Sequence, residues 1–427
     1  MNASRKAVGI RTRRADVSDV GGVRELLIGD FNNFGFEFRF LDSYNFFDKK
    51  ATYLLGTKFY KADNNSIQGP GSANSDADFT LRTEEFPNYK NQSDFSNPNL
   101  NIAFFGENIF YLSDKLSITP GFRVEYIKTG SKGFKKTVNT DGAGNPIGEI
   151  EEFDDISKER MFVLFGVGME YKWNSNIEMY GNISQNYRSI TFSDVNIVNP
   201  SNAIDENLKD ETGFTADIGI RGNYKRLVSY DIGAFALFYN DKIDFLSTTI
   251  PPVNYAGLLR TNIGDSRVYG IESLLDFNLQ RILDINPNYA FNYFVNSSFI
   301  KTEYTRAIAP GIKGNKMPFV PDVNLKTGIK FGYKNFSSSM QYTYLSLQYT
   351  DASNSIGGGV SGVIGEIPAY DVFDFSSSYK FKLFKIEAGV NNLLDENYFT
   401  RRATGYPGPG IIPSAPRTYY VTVEFKI

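Results

Sequence analysis

The 427-residue chain has no cysteine and no histidine. Those absences remove the Cys/His ligand sets of structural zinc and the usual ligands of haem and iron–sulfur clusters. They also remove the His–Ser and His–Cys pairs of nucleophilic catalysis. Zero Cys suits an oxidising compartment, where a stray thiol is a liability. Charge is nearly balanced, with 45 Lys and Arg against 48 Asp and Glu, so bulk electrostatics gives no pull toward nucleic acid. No apolar run approaches the ~20 residues that a membrane-spanning helix needs, and the mean hydropathy is −0.31. Residues 1–23 lack the apolar stretch of a secretory signal. A chain bound for export is expected to carry one, so either it has been removed or this chain is a piece of something longer.

What is abundant is aromatic side chain, 27 Tyr and 37 Phe, set in short alternating segments. From Leu116 to Tyr126 the even positions are apolar and the odd ones small, polar or charged. A strand has a period of two, so all the apolar side chains fall on one face. From Arg417 to Ile427, Tyr419, Val421, Val423, Phe425 and Ile427 take one face, and Tyr420, Thr422, Glu424 and Lys426 the other. About fifteen strands follow from this pattern, near 31–46, 51–61, 100–112, 116–128, 161–172, 177–188, 213–222, 229–244, 264–277, 289–304, 322–333, 336–349, 369–380, 384–393 and 417–427. Short connections such as Ser113-Asp114-Lys115 alternate with long ones near 62–99, 129–160, 189–212, 245–263, 305–321, 350–368 and 394–416, rich in Gly, Pro, Asn, Asp and Ser. Short turns at one end and long loops at the other are the plan of a transmembrane antiparallel β-barrel in a bacterial outer membrane. The chain divides into residues 1–30, a polar segment on the extracellular, long-loop side, and the barrel strands over 31–427.

Parity adds a constraint. The last strand ends on the short-turn side, and counting back puts the start of the first strand on the long-loop side. A complete bacterial barrel has an even number of strands, so the barrel is expected to be incomplete. Seven more strands would make it about fifteen of twenty-two, the size whose lumen is plugged. The rival count takes residues 24–30 (RELLIGD) as a sixteenth strand of a porin-sized barrel, but no turn signal separates them from the next strand.

Three stretches carry a family resemblance. Gly389 to Tyr398 (GVNNLLDENY) resembles the penultimate-strand signature of TonB-dependent outer-membrane receptors. Asn207-Leu208-Lys209-Asp210-Glu211 resembles the family's Asn-Leu-Lys-Pro-Glu, with Asp210 at the Pro position, and Tyr180 to Arg188 (YGNISQNYR) resembles the strand before it. Two loop stretches, Gln68 to Phe79 and Tyr398 to Pro413, look like the ferric dicitrate receptor branch found in Bacteroidota-type bacteria. The resemblance covers the C-terminal barrel portion of such a receptor, without the plug domain or TonB box. It implies import of a ferric chelate, ferric citrate in the first instance, with partners in the TonB complex (through the plug region), outer-membrane lipid and lipopolysaccharide, and a monomer when complete. It implies no enzyme activity, no cofactor, no resident metal and no nucleic-acid partner. A passive porin-like channel is the alternative, and an adhesin or phage-receptor barrel a third.

Ferric citrate is anionic, so its receptor needs cationic and hydrogen-bonding groups at the extracellular end. Arginine suits carboxylates because its planar fork pairs with them bidentately. Candidates at long-loop ends are Arg82, Arg188, Arg260, Arg267, Arg306, Arg401 and Arg402, with Gln185 and Asn186 near the same rim. Against this stands the plainer reading that loop arginines are solvated, or pair with loop acids and lipopolysaccharide phosphates. The acidic run Glu149, Glu151, Glu152, Asp154 and Asp155 could hold Ca²⁺ through oxygen ligands, but it lacks EF-hand spacing and reads as a solvated loop. Gln68 to Gly71 is not followed by a Lys-Ser/Thr pair and is not a phosphate cradle. Inward strand charges such as Arg123, Glu125, Glu170, Glu272 and Lys330 line a wet lumen, and no nucleophile–base constellation is visible.

Overall fold

The computed structural model describes residues 2–9, 23–74, 78–143, 145–191, 194, 202–250, 255–357, 362–403 and 410–426. Its strands are β1 (Asn2–Gly9), β2 (Glu25–Phe46), β3 (Lys49–Pro70), β4 (Asn91–Tyr111), β5 (Leu116–Thr140), β6 (Pro146–Asn174), β7 (Ile177–Arg188), β8 (Asn202–Ile204), β9 (Glu211–Tyr224), β10 (Val228–Ile250), β11 (Tyr255–Asn278), β12 (Tyr289–Ala307), β13 (Val323–Tyr333), β14 (Phe336–Leu345), β15 (Gln348–Tyr349), β16 (Glu366–Ile367), β17 (Tyr370–Phe381), β18 (Phe384–Asn391), β19 (Phe399–Ala403), β20 (Gly410–Pro413) and β21 (Thr418–Phe425). One helical turn, α1 (Leu279–Ile282), closes the connection after β11. Among the described residues no helix is long and apolar enough to cross a membrane.

Sixteen strands form one antiparallel meander, β1 to β7, β9 to β14, β17, β18 and β21, each bonded to the next. The all-β antiparallel architecture is the expected one. The sheet is not closed: among the described residues β1 pairs only with β2 and β21 only with β18. The strand added to the expected fifteen is β1, inside the 1–30 segment read as loop. Glu25 to Asp30 are not loop either, nor a separate strand as the rival count supposed: they run on into β2, which is bonded to β3 from Glu25↔Pro70 to Phe46↔Lys49. Residues 10–22 of that segment lie outside the described residues.

The long connections differ most from expectation. Residues 62–70, 91–99 and most of 129–160 are strand, extending the hairpins well past the apolar zone. Their sequences do not alternate in polarity because the face buried there mixes polar and apolar residues, Ser93, Asn97, Thr129 and Ser131 beside Ala62 and Phe95, while backbone N–H and C=O groups pair all the same. The acidic run of β6 lies opposite lysines of β5, with Lys128–Glu159 at 2.6 Å, Lys132–Asp155 at 2.7 Å, Lys135–Glu152 at 2.6 Å and Lys136–Glu149 at 2.9 Å. It is one side of a cross-strand ion-pair ladder rather than a solvated loop. Among the described residues no acidic group is arranged to hold a metal ion.

Alternation sets the two faces. Phe34, Phe36, Phe38 and Phe40 of β2 stand half-exposed on one face, followed round the sheet by Ile102, Phe104, Phe165, Ile218, Ile271, Phe299, Ile329, Ile386 and Val423. Left in water, so much apolar surface would be unfavourable, and lipid covers it. The opposite face carries Arg123 bonded to Glu125, Asn101 donating to Glu125, Asn182 to Asp217 at 3.3 Å and Asn292 to Asp276 at 2.9 Å. The short-turn end reverses in as little as two residues. Phe47 and Asp48 both have positive φ, the requirement of the turn that matches strand twist, and Phe47 packs edge-on against Phe46 at 4.6 Å. At the other end small apolar clusters cement loops to strands. Ile263, Tyr304, Ile312, Met317 and Ala352 form one, and Ile190, Leu208 and Ile243 the other.

Candidate functional site

The long-loop ends of β7, β9, β10 and β11 converge on two buried carboxylates. Asp194 is 1% exposed. It accepts from Arg188 Nη2 at 3.0 Å, from Arg260 Nη2 at 2.6 Å, and from the Thr191 backbone N–H and hydroxyl at 2.9 and 2.8 Å. Glu211, 2% exposed, accepts from Arg188 Nη1 at 3.2 Å, from Lys242 Nζ at 3.2 Å and from the Ile243 N–H at 2.9 Å. Arg260 also lies over the Phe245 ring at 4.8 Å. Burial by itself would raise the Asp194 pKa, but the bonds from Thr191, Arg260 and Arg188 outweigh it and hold the carboxyl below the ordinary range.

The sequence reading thus chose two arginines that do meet, Arg188 and Arg260, and it missed what they meet. Asp194 and Glu211 occupy most of their donors, and a third carboxylate, Asp244, interacts with Arg260, Lys242 and Glu211. The cluster fastens Thr191 and Asp194 to the wall strands. Lys242 joins it without having been singled out. It sits at a register shift after Tyr239, where β10 leaves the regular ladder, and a lysine between aspartate and isoleucine gave no distinguishing signal.

Beside this cluster, Asp210 explains the departure from Asn-Leu-Lys-Pro-Glu. Its carboxylate accepts from Arg160 Nε at 3.0 Å, from the Ile190 N–H at 2.7 Å and from the Tyr187 hydroxyl. Tyr187 is stacked on Phe162 at 3.7 Å between centroids. A proline could do none of this. Of the two polar candidates, Asn186 donates to Thr215 at 3.2 Å, while Gln185 accepts the Phe165 N–H at 2.9 Å, at the point where β6 and β7 part. Both are engaged within the wall.

Of the other arginines, Arg82 lies in the connection after β3, and Arg267 and Arg306 lie on the adjacent strands β11 and β12. Arg82 pairs with Asp78 at 2.8 Å, and the Thr80 and Arg82 side chains hold the Asp78 carboxyl down to about 2. Arg267 pairs with Glu303 at 2.5 Å, and Arg306 with Asp265 at 2.6 Å and Asp241 at 3.1 Å.

The last loop is built on its family-like stem. Asn392, buried and at positive φ, accepts from the Glu396 N–H at 2.8 Å and donates to the Glu396 carbonyl at 2.9 Å, while Asp395 accepts from the Arg417 N–H at 2.8 Å. Above this stem β19 pairs with β20. Arg402 turns sideways and donates to the carbonyls of Glu366, at 2.9 and 2.7 Å, and Gly362, at 2.8 Å. It is a strap between two loops, not a free cation. Its neighbour Arg401 is exposed and has no side-chain partner among the described residues. The glycines and prolines expected to shape this loop at 404–409 lie outside the described residues.

Of the seven arginines, Arg401 is the one without a side-chain partner among the described residues, and it stands on a braced hairpin at the same end of the sheet as the buried network. Among the described residues the arrangement has no nucleophile–base pair, and an exposed guanidinium suits recognition of an anion.

Comparison with known proteins identifies the family and the fold. Residues 7–393 match the model of a family described as TonB dependent receptor-like, β-barrel. Among solved structures, the ferric citrate transporter FecA in the unliganded form is similar at TM-score 0.71 and 16% identity, over 95% of this chain and 56% of that one. The copper transporter OprC gives TM-score 0.71 at 15% identity, over 99% and 61%. The ferric yersiniabactin uptake receptor FyuA from Yersinia pestis gives 0.69 at 15%, over 95% and 55%. The chain spans a little over half the length of these structures. At such identity the likeness is one of fold, and the fold accommodates receptors named for different cargoes.

Proposed function

Because this chain belongs to the TonB-dependent receptor-like β-barrel family of the outer membrane, we propose that it forms barrel wall and vestibule for uptake of an anionic ferric chelate, and that the chelate is ferric citrate. The observation that carries the cargo class is Arg401. It is an exposed guanidinium on a hairpin that Arg402 braces against the neighbouring loop. A braced loop loses less entropy when it closes on a ligand, and a free guanidinium supplies bidentate donors to a citrate carboxylate. The ferric dicitrate character of the loop sequences Gln68 to Phe79 and Tyr398 to Pro413 supports the same cargo. A TonB-linked energised step and contact with lipopolysaccharide are part of this reading. The porin-like alternative draws no support from the family match or from the open sheet.

The test is calorimetric titration of ferric citrate into the wild type and into Arg401→Ala. Loss of one charge-assisted hydrogen bond costs about 1.5–3 kcal/mol, or roughly ten- to a hundred-fold in Kd. Unchanged affinity removes Arg401 from the site. Tight binding of another ferric chelate with none of ferric citrate leaves the family reading standing and rejects the cargo.

A further inference from the structure

The tall hairpin of β5 and β6 has one side that the fold leaves open. β6 is bonded to β5 along nearly its whole length, from Thr140↔Pro146 to Leu116↔Tyr171. On its other side it is bonded to β7 only from Gly166↔Ser184 to Asn174↔Ile177. β7 ends at Arg188, and β6 runs on outward past it. Both neighbours of β6 belong to this chain, so the open side comes from the unequal lengths of β6 and β7. Part of it is covered. Arg160 bonds Asp210 and the Ile190 carbonyl, and Ile156 packs on the Ile190, Leu208 and Ile243 cluster. Further out, Pro146 to Asp155 have no second strand among the described residues. That stretch is about 33 Å of edge.

Strand geometry fixes which groups this edge presents. Successive residues of a strand point their N–H and C=O to opposite sides. The Phe165 N–H points toward β7, where the Gln185 side chain accepts it at 2.9 Å as the two strands part. The β5–β6 register runs without a shift from Tyr171 to Glu149. Glu149, Glu151, Phe153 and Asp155 therefore also turn their backbone donors and acceptors away from β5. The side chains are acidic. Pro146 to Asp155 carry five acids and no Lys or Arg. Lys132, Lys135 and Lys136 of β5 neutralise Asp155, Glu152 and Glu149, while Glu151 and Asp154 have no side-chain partner among the described residues. Between the acids, Ile147, Ile150 and Phe153 are 70%, 55% and 75% exposed.

We propose that the outer edge of β6 is a docking strand for an extended basic polypeptide, which adds to it through main-chain hydrogen bonds and sets cations beside Glu151 and Asp154. Charged side chains on an edge guard it against chance pairing. Here the guards are all of one sign, so they admit a strand of the opposite sign. Opposite charges on neighbouring strands attract and like charges repel. The same rule rejects a second copy of this edge, whose acids would face their own kind. Apolar residues among the cations of such a strand would cover Ile147 and Phe153. The inference goes beyond the uptake reading, and Arg401 has no part in it, so either can fail without the other.

The probe is a fluorescein-labelled peptide of repeated Lys-Lys-Val-Thr, titrated by anisotropy into the protein in detergent at low salt. One control peptide is N-methylated at every valine and threonine, which removes main-chain donors from both edges and keeps the charge. The other has Glu in place of Lys. The N-methylated peptide is expected to bind at least about tenfold more weakly, and the Glu peptide not to bind. Glu151→Gln with Asp154→Asn should weaken the Lys peptide about three- to tenfold. Phe153→Pro should weaken it too, since it removes an N–H from the open side without touching the β5 ladder. Amide exchange at Ile150, opposite Thr137 of β5, checks that the ladder is intact in each variant. The chain has no cysteine, so Ser157→Cys gives a unique thiol beside the open stretch. A Lys peptide carrying an activated disulfide should label it faster than it labels Ser43→Cys at the short-turn end of β2, with both rates normalised to a neutral reagent. Equal binding of the N-methylated and unmodified peptides overturns the proposal, because charge alone then holds them. No binding of the Lys peptide overturns it, as does binding unchanged by Glu151→Gln with Asp154→Asn. A disulfide-linked dimer of Ser157→Cys that forms in preference to peptide labelling overturns it in favour of a second copy as occupant.

Discussion

The shared carboxylate of Asp194 gives the sharpest quantitative expectation. Asp194→Ala removes the one acceptor that joins Arg188, Arg260 and the Thr191 backbone. Breaking a buried ion pair by deleting one partner costs about 3–5 kcal/mol, because the other charge is left buried and unpaired. Arg260 is only 16% exposed and bears most of that cost, while Arg188, at 37%, recovers part of its hydration and keeps Glu211. The lower end, about 3 kcal/mol, is therefore the working figure, equivalent to roughly a hundred-fold more frequent local opening. Amide hydrogen exchange at Thr191 reads this directly, since its N–H donates to Asp194. The pH dependence has a definite sign. The Asp194 pKa is lowered in the fold, so its stabilisation is complete above the ordinary carboxylate value and is lost as pH falls through the folded value. Protection at Thr191 should decay on acidification in the wild type and be weak and flat in Asp194→Ala. Equal protection in both proteins at neutral pH would refute the reasoning and make the network incidental to the anchoring of the 189–211 connection.

The Asp210 hub is expected to be stabilising in its own right. Asp210→Ala should lower stability by about 1.5–3 kcal/mol in a denaturant titration, and Asp210→Pro, which restores the family residue, should do no better because Arg160 still lacks its carboxylate. The β5–β6 ladder should loosen in salt. At about 1 M the Debye length is ~3 Å, and amide exchange at Thr137 and Ile150 should rise a few-fold. Lys132→Gln with Lys136→Gln should show that rise already at low salt, and a salt response undiminished in this variant would contradict the assignment.

How much of this was legible in the sequence depends on the range of each interaction. Period-two alternation in Leu116 to Tyr126 and Arg417 to Ile427 told lipid face from lumen face, because side-chain direction along a strand is fixed by the backbone of neighbouring residues alone. Turn chemistry separated short connections from long, and together these settled the all-β meander. The alternation failed in the outer halves of the hairpins, where the buried face carries polar residues such as Ser93, Asn97, Thr129 and Ser131, and the strand at Asn2–Gly9 also went unread. The site was legible only as a set of arginines. Of the seven singled out, only Arg401 is without a side-chain partner among the described residues. Arg260 is held by Asp194, 66 positions away in the chain, and Arg402 by the carbonyl of Glu366, 36 away.

The sequence by itself determined that this chain forms strands, which side of each strand meets lipid, and which motifs it shares with its family. Those are properties of residues read in order. The tertiary structure alone decided which cations are neutralised and which stand free. The register set Arg188 beside Glu211. A charge attracts an anion only to the extent that its neighbours leave it unpaired, and in a sheet those neighbours lie across the strands, dozens of residues away along the chain.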